Sequence, residues 1–443
     1  MRPLKMLLPH VLGAAAAVAV VLGPGASAHA EGRSLTLGEA ERLALETNPQ
    51  LRSIDARARS AEDVARSVRG HMLPALRFQN EFQHYSSPFV APFELAPGQK
   101  FVLRDQDTNT LVLNASQPLL GLARLIEEYR AQRATASATA AQARAAQAAV
   151  RRGLRLGFLR YFEAKALTEI AKQSEDELTE QIVIAEAKLK AGVLTNADIL
   201  RLQVAKANAR QQGVQAQAQA DAARAAVLIA VGRTLEEGGE LVEPKELLDA
   251  SRSEPPKVQA AVTQAASARP EIQLQQHVIS ASQHQARSRL YAFLPELNVE
   301  GTYVRIDGQA FAPPNAVSVG LKAQWAFWEW GASYYQLRAS RLLAAAARED
   351  LAQQQRQIAT EVTSELAQST AARSAVDLAQ KTIASAEEAY RVTNVLLKAG
   401  SATTTDLLES QAALNQARLN LTRAMYQQAV AHVSLRYSLG DAN

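Results

Sequence analysis

His277 and His284 come nearest to metal chemistry, because a spacing of seven puts both imidazoles on one helical face. No acidic residue stands beside them at ligand spacing, so a plain helix face is expected and no metal site. The 443-residue chain has no cysteine, which removes thiolate ligands, disulfides and a lipid-accepting thiol together. No nucleophile, phosphate-binding loop or carboxylate pair stands out, so neither an enzyme nor a bound cofactor is expected. Asp198 and Asp406 have a more informative setting. Each follows a threonine by three residues (Thr195, Thr403) and a glycine by six (Gly192, Gly400). That is a helix ending on glycine and a new one starting at threonine, with an aspartate near the positive end of its dipole.

The two segments are copies of each other. AGVLTNADILRLQVAKANAR, ending at Arg210, and AGSATTTDLLESQAALNQAR, ending at Arg418, align at a constant separation of 208. Upstream, a second pair aligns at 221, matching Pro49 with Pro270 and Pro74 with Pro295. A constant register over so many positions identifies an internal duplication. The expected organisation is a signal segment over 1–30, a first repeat over 31–231, a linker or equatorial segment over 232–257, and a second repeat over 258–443.

The elements of each repeat follow from composition. A helix of about 20 residues comes first, from Pro49 to Met72 in the first copy, with Asn48 placed to cap it and Pro49 at its first position. Two short strands follow. No proline occurs between Pro118 and Pro244 or after Pro314, and Ala, Gln, Arg, Leu and Glu fill both stretches, so both permit long helices. Gly192 and Gly400 break them into antiparallel hairpins. The first arm, Leu119 to Ala191, spans about 110 Å at ~1.5 Å per residue, and the return arm, Asn196 to Val231, about half of that. The short opening helix is the candidate to cover the remainder. Small residues on several faces suit a helix with neighbours on both sides, as in a barrel wall. An ordinary two-stranded coiled coil is the alternative.

The strands name the solvent. Val317, Val319, Leu321, Ala323 and Trp325 alternate with Ser318, Gly320, Lys322 and Gln324, and Leu297, Val299, Gly301 and Tyr303 alternate with Asn298, Glu300 and Thr302. In the first copy Leu76, Phe78 and Phe82 alternate with Arg77, Gln79, Glu81 and Gln83, and across a loop Leu111, Leu113 and Ala115 alternate with Thr110, Val112 and Asn114. Strands of about ten residues, apolar on one side and polar on the other, suit an outer-membrane barrel, and a soluble sheet packed on a helix is the alternative. Trp325, Trp328 and Trp330, with Tyr334 and Tyr335, cluster where an interfacial girdle would lie. Four strands cannot close a barrel and lipid forbids an open edge, so three chains giving twelve strands are expected. The loops at Ser86–Asp107 and Asp307–Asn315 would face outward, and the glycine tips the periplasm.

Arg2 and Lys5, an apolar stretch from Leu7 to Leu22, and Ala-Ser-Ala-His-Ala ending at Ala30 read as an export signal. An uncleaved anchor is the alternative, although Pro9, His10 and Gly13 interrupt the stretch. Losing the segment takes the net charge from +4 to +2, too little to argue for nucleic acid.

The opening around Ser34–Leu51, the LPAL and LPEL strand entries and the paired AG-x-x-T-x-x-D tips resemble the TolC-like outer-membrane efflux proteins, over Ser34 to Gly440. The resemblance implies a mainly α fold with a small β part: duplicated helical hairpins forming a trimeric α-barrel, and a 12-stranded outer-membrane β-barrel. It implies a homotrimer in outer-membrane lipid, with a periplasmic adaptor protein and an inner-membrane pump as partners in passive export. It places adaptor docking at Gly192, Val193, Leu194 and Thr195 and at Gly400, Ser401, Ala402 and Thr403, where a purely structural turn explains the glycines equally well. It places an acidic pore ring at Asp406 and Glu409. For Asp406, helix-start stabilisation is the alternative, since Asp198 repeats it, whereas Glu409 faces Arg201 in the alignment. The family's Arg and Tyr gate positions are occupied by Ala402 and Leu397. Efflux is expected, with type I protein secretion and, in another class, a coiled-coil surface protein as alternatives.

Overall fold

The computed structural model describes residues 34–94, 100–234 and 239–441; the expected signal segment lies outside them. The chain opens with α1 (Leu37–Thr47), a helix not anticipated from sequence, started by a capping box in which the Thr36 amide donates to Glu39 at 3.1 Å and the Glu39 amide to Thr36 at 3.3 Å. Next comes α2 (Pro49–Gly70), where the Asn48 side chain accepts from the amides of Gln50 and Leu51. Then come β1 (Ala75–His84), β2 (Phe89–Glu94) and β3 (Lys100–Pro118). The first hairpin is α3 (Leu122–Lys190, 69 residues) and α4 (Asn196–Ala230, 35 residues). Short helices α5 (Lys245–Ala250) and α6 (Val258–Ala268) lead into α7 (Pro270–Tyr291), β4 (Glu296–Gln309) and β5 (Asn315–Gln324). The second hairpin is α8 (Ala332–Lys398, 67 residues) and α9 (Thr404–Ser438, 35 residues).

Burial repeats with the sequence. Ala40, Ala44 and Leu51 are buried, and so, 221 positions on, are Ala261, Ala265 and Ile272; Leu154, Phe158, Val227 and Val231 are buried, and so, 208 positions on, are Val362, Leu366, Leu435 and Leu439. Leu51 apart, these residues form two midway cores, one where α1 meets α3, α4 and α9, the other where α6 and α7 meet α8 and α9. Above the cores the helices lie in the order α2, α3, α7, α8; below them α4 and α9 replace the short helices beside α3 and α8. The short opening helices therefore do cover the uncovered half of the long arms. The sheet follows the same order, β1-β3-β4-β5. A fifth strand corrects the expected loop at Ser86–Asp107: β2 pairs with the early part of β3 through shifted registers.

Candidate functional site

The sheet register lines up the expected apolar positions on one face. Phe78 stands opposite Leu113, Leu113 opposite Tyr303, and Tyr303 opposite Val317; one step along, Ala115 meets Gly301 and Gly301 meets Val319. The other face carries Arg77, Asn114, Thr302 and Ser318 in one row, with Lys322 and Glu300 bridging at 3.5 Å. Apolar side chains stand bare in a single chain: Leu76 is 82% exposed and Val319 78%. A water-soluble sheet would cover such a face, and among the described residues nothing packs on it. Within one chain β1 and β5 have a neighbour on one side only. Trp325, Trp328 and Trp330 follow β5 directly, all exposed, with the Trp325 indole donating to the Phe293 carbonyl at 3.1 Å.

At the far end the tips are twin turns. Gly192 (φ 75°) and Gly400 (φ 76°) take the left-handed conformation that a side chain would oppose. Val193 N donates to Lys188 O and Ser401 N to Leu396 O, each at 2.9 Å, so the glycines close Schellman motifs. The next helix starts on a cap. Thr195 donates its amide (3.1 Å) and hydroxyl (2.7 Å) to the Asp198 carboxylate, and Thr403 donates both to Asp406 at 2.7 Å. These bonds hold both carboxylates below the ordinary aspartate range, led by the Thr195 hydroxyl for Asp198 and the Thr403 amide for Asp406. Glu409 stands exposed one turn beyond Asp406, and Leu397 and Ala402 are half-buried. The geometry thus brings Gly, Thr and Asp of each tip together. Arg201 of the first tip donates to Thr405 of the second at 3.1 Å, tying the two.

Sequence reasoning missed the contacts that join the two repeats. Glu177 of α3 accepts from Gln411 (3.4 Å) and Arg418 (3.3 Å) of α9, while Gln181 donates to Tyr390 of α8 at 3.4 Å. Burial, and then the Glu177 charge, push the Tyr390 hydroxyl up. Contrary to the expectation of no acidic partner, His284 has one: Glu127, from α3, meets its Nδ1 at 2.7 Å. The correction has a simple cause: 157 residues separate the two, so no local spacing could show it. Burial works to raise the Glu127 carboxyl, but bonds from His284 and Arg130 outweigh it and hold it low. His277 joins no group of three potential metal ligands among the described residues.

A two-faced sheet whose end strands each have one free edge is continued by duplicated helical hairpins. The chain belongs to the outer membrane efflux protein family, whose profile matches residues 41–233 and 261–441. It is 25% identical over 286 residues to the outer membrane efflux protein BepC of Brucella suis, an alignment covering 63% of this chain and 61% of BepC. Its fold is similar to that of CusC (TM-score 0.79, 17% identity, 92% and 93% of the two chains). It is similar also to VceC of Vibrio cholerae (TM-score 0.78, 15% identity, 91% and 96% of the two chains).

Proposed function

We propose that three copies of this chain close a twelve-stranded barrel in the outer membrane and a periplasmic helical duct beneath it. The duct passively exports what an inner-membrane pump delivers through a periplasmic adaptor. One observation carries this reading: a four-strand path with a continuous apolar face and a free edge at each end, β1 and β5. Lipid offers no partner for an open edge, so β5 of one copy must meet β1 of the next. The helices support the same closure. In the second repeat α7 is flanked by α3 and α8, whereas among the described residues α2, its counterpart, packs along α3 and meets α1 only at their shared corner; α8 of the adjacent copy fits the vacant side. Family membership supports efflux as the activity.

Within this reading the segments carry the roles expected of them. The exposed tip residues, Val193 at 69% among them, dock the adaptor's helices. Asp406 and Glu409, three of each, concentrate negative field at the entrance. Asp406 does so while capping its helix, which leaves Glu409 as the acid free of a cap. Trp325, Trp328 and Trp330 form the girdle at the periplasmic interface, and residues 232–257 belong to an equatorial belt around the duct.

Purified protein in a planar bilayer tests the proposal. Stepwise conductance with a native mass of three chains is expected. A monomer that salt alone strips from envelopes, without conductance, overturns it. A deletion strain with full drug tolerance that fails to export one protein would reassign the duct to protein secretion.

A further inference from the structure

The second repeat carries an arginine groove that the first leaves incomplete. Between α7 and α8, below the strands, a groove of about 290 Å³ is lined by Gln283, Ala286, Arg287, Arg341, Ala344 and Arg348. None of the three guanidiniums is ion-paired to a described residue. The equivalent of Arg287 in the first repeat is Arg66, 221 positions earlier, and it is bonded to Asp63 at 3.1 Å and Glu62 at 3.5 Å. At those two positions the second repeat has His284, engaged by Glu127, and neutral Gln283. Arg341 has a counterpart in Arg133, but Arg348 answers to Ala140. A charge that one repeat neutralises, the other concentrates, and three cations around one groove favour an anion between them.

Chirality decides which way the groove opens. In β4 the Leu297 side chain lies on the apolar face, and its carbonyl accepts from Leu119 at the end of β3 at 2.8 Å. For an L-residue in a rising strand, seen from its own side chain, that carbonyl points to the right. So β3 stands to the right of β4, and below them α3 stands to the right of α7 and α8 to its left. The buried Leu337, Ala344 and Ala347 turn toward α7. Helix α8 descends and winds clockwise seen from its start, so Arg341 and Arg348, about a quarter-turn on, point to the outer, lipid-facing side. Tyr334 stands on the same stripe, seven residues before Arg341 and four after Trp330. Arg341 sits about 10 Å beneath it, and helix side chains lean toward the N-terminus, here back up toward the membrane.

We propose that this groove binds the phosphate headgroup of an anionic phospholipid in the periplasmic leaflet, one per chain. The assignment rests on the outer-membrane reading above, but the groove lies within a single chain, so its test does not need the trimer. Native mass spectrometry of the purified protein with added phosphatidylglycerol or phosphatidylcholine reads it. Phosphatidylglycerol should be retained at least about ten-fold more than phosphatidylcholine, up to one per chain. Arg341→Gln with Arg348→Gln should abolish the preference. Gln283→Glu, which restores the first repeat's acid, should weaken it, and Arg66→Gln should leave it unchanged. Chain mass in the same spectra shows that each variant is intact. Equal retention of the two lipids, or an unaltered preference in the double variant, overturns the site. Displacement of the lipid by millimolar inorganic phosphate would assign the groove to a soluble anion and overturn the lipid assignment. A monomeric protein that keeps the preference would count against the channel and not against the groove.

Discussion

The corner that enters α2 and the corner that enters α7 share a bend and differ in chemistry. Both place proline at the first helical position, after a residue in extended conformation. In the first repeat that residue is Asn48, whose side chain satisfies two orphan amides. In the second it is Arg269, which cannot cap and is buried, 5% exposed. Its guanidinium donates to Glu271 (3.0 and 3.2 Å), to Glu361 of α8 (3.3 and 3.2 Å) and to the Ser438 carbonyl (3.3 Å), and lies over the Tyr437 ring. The duplicated backbone thus tolerates either a local cap or a long-range ionic clamp at one place. The clamp has the further effect of tying α7, α8 and the end of α9 to one side chain.

The largest test of that difference is Arg269→Ala. It strands Glu361, Glu271 and a buried carbonyl at once, and removing one partner of a buried ion pair costs about 3–5 kcal/mol. Thermal or denaturant unfolding of the purified protein should show a loss of that size. Asn48→Ala, in contrast, should cost about 1 kcal/mol, the ordinary worth of a helix cap. Equal losses would mean that the long-range clamp contributes no more than a local cap does.

A second pair of equivalent positions separates strain from crowding. Gly232 and Gly440, 208 apart, both have positive φ, 74° and 80°. A methyl at Gly232 would meet the Thr47 side chain, its hydroxyl at 3.0 Å and its Cβ at 3.3 Å; at Gly440 it would press closer, on the backbone carbon of Ala268 at 2.9 Å. Gly232→Ala should lose about 1–2 kcal/mol from the left-handed backbone alone. Gly440→Ala should lose more, and the same unfolding measurement ranks them.

The comparison also shows what the sequence could carry. Strand faces were legible because alternation is local, and the tips were legible because a positive φ asks for glycine and a helix start for Thr and Asp. Helix α1 was missed although Thr36 and Glu39 spell its capping box, because only 11 residues follow before the next cap at Asn48. The β2 pairing was hidden: Pro92 and two register shifts break the alternation between Phe89 and Glu94. Arg269 with Glu361, and Glu127 with His284, join residues 92 and 157 positions apart, which only the packing of separate helices brings together.

The smallest effect is expected at the tips, where the two repeats come closest to identity. Both aspartates have depressed folded-state affinities for a proton, so each cap stabilises fully above the unfolded value, ordinarily 3.8, and is lost as pH falls through the folded one. Hydrogen exchange over residues 192–200 and 400–408 should therefore rise relative to neighbouring segments below that range. The neighbours differ, however. Asp198 has Arg201 at 3.6 Å, whereas Glu409 takes the arginine's place beyond Asp406. Salt screens exposed pairs, so raising ionic strength should loosen the first tip slightly and leave the second unchanged. Asp406→Asn should remove the pH dependence of the second tip alone. Were both tips to loosen equally in salt, the Arg201 and Glu409 exchange would not distinguish them electrostatically, and Glu409 would lose its claim to set the field at the entrance.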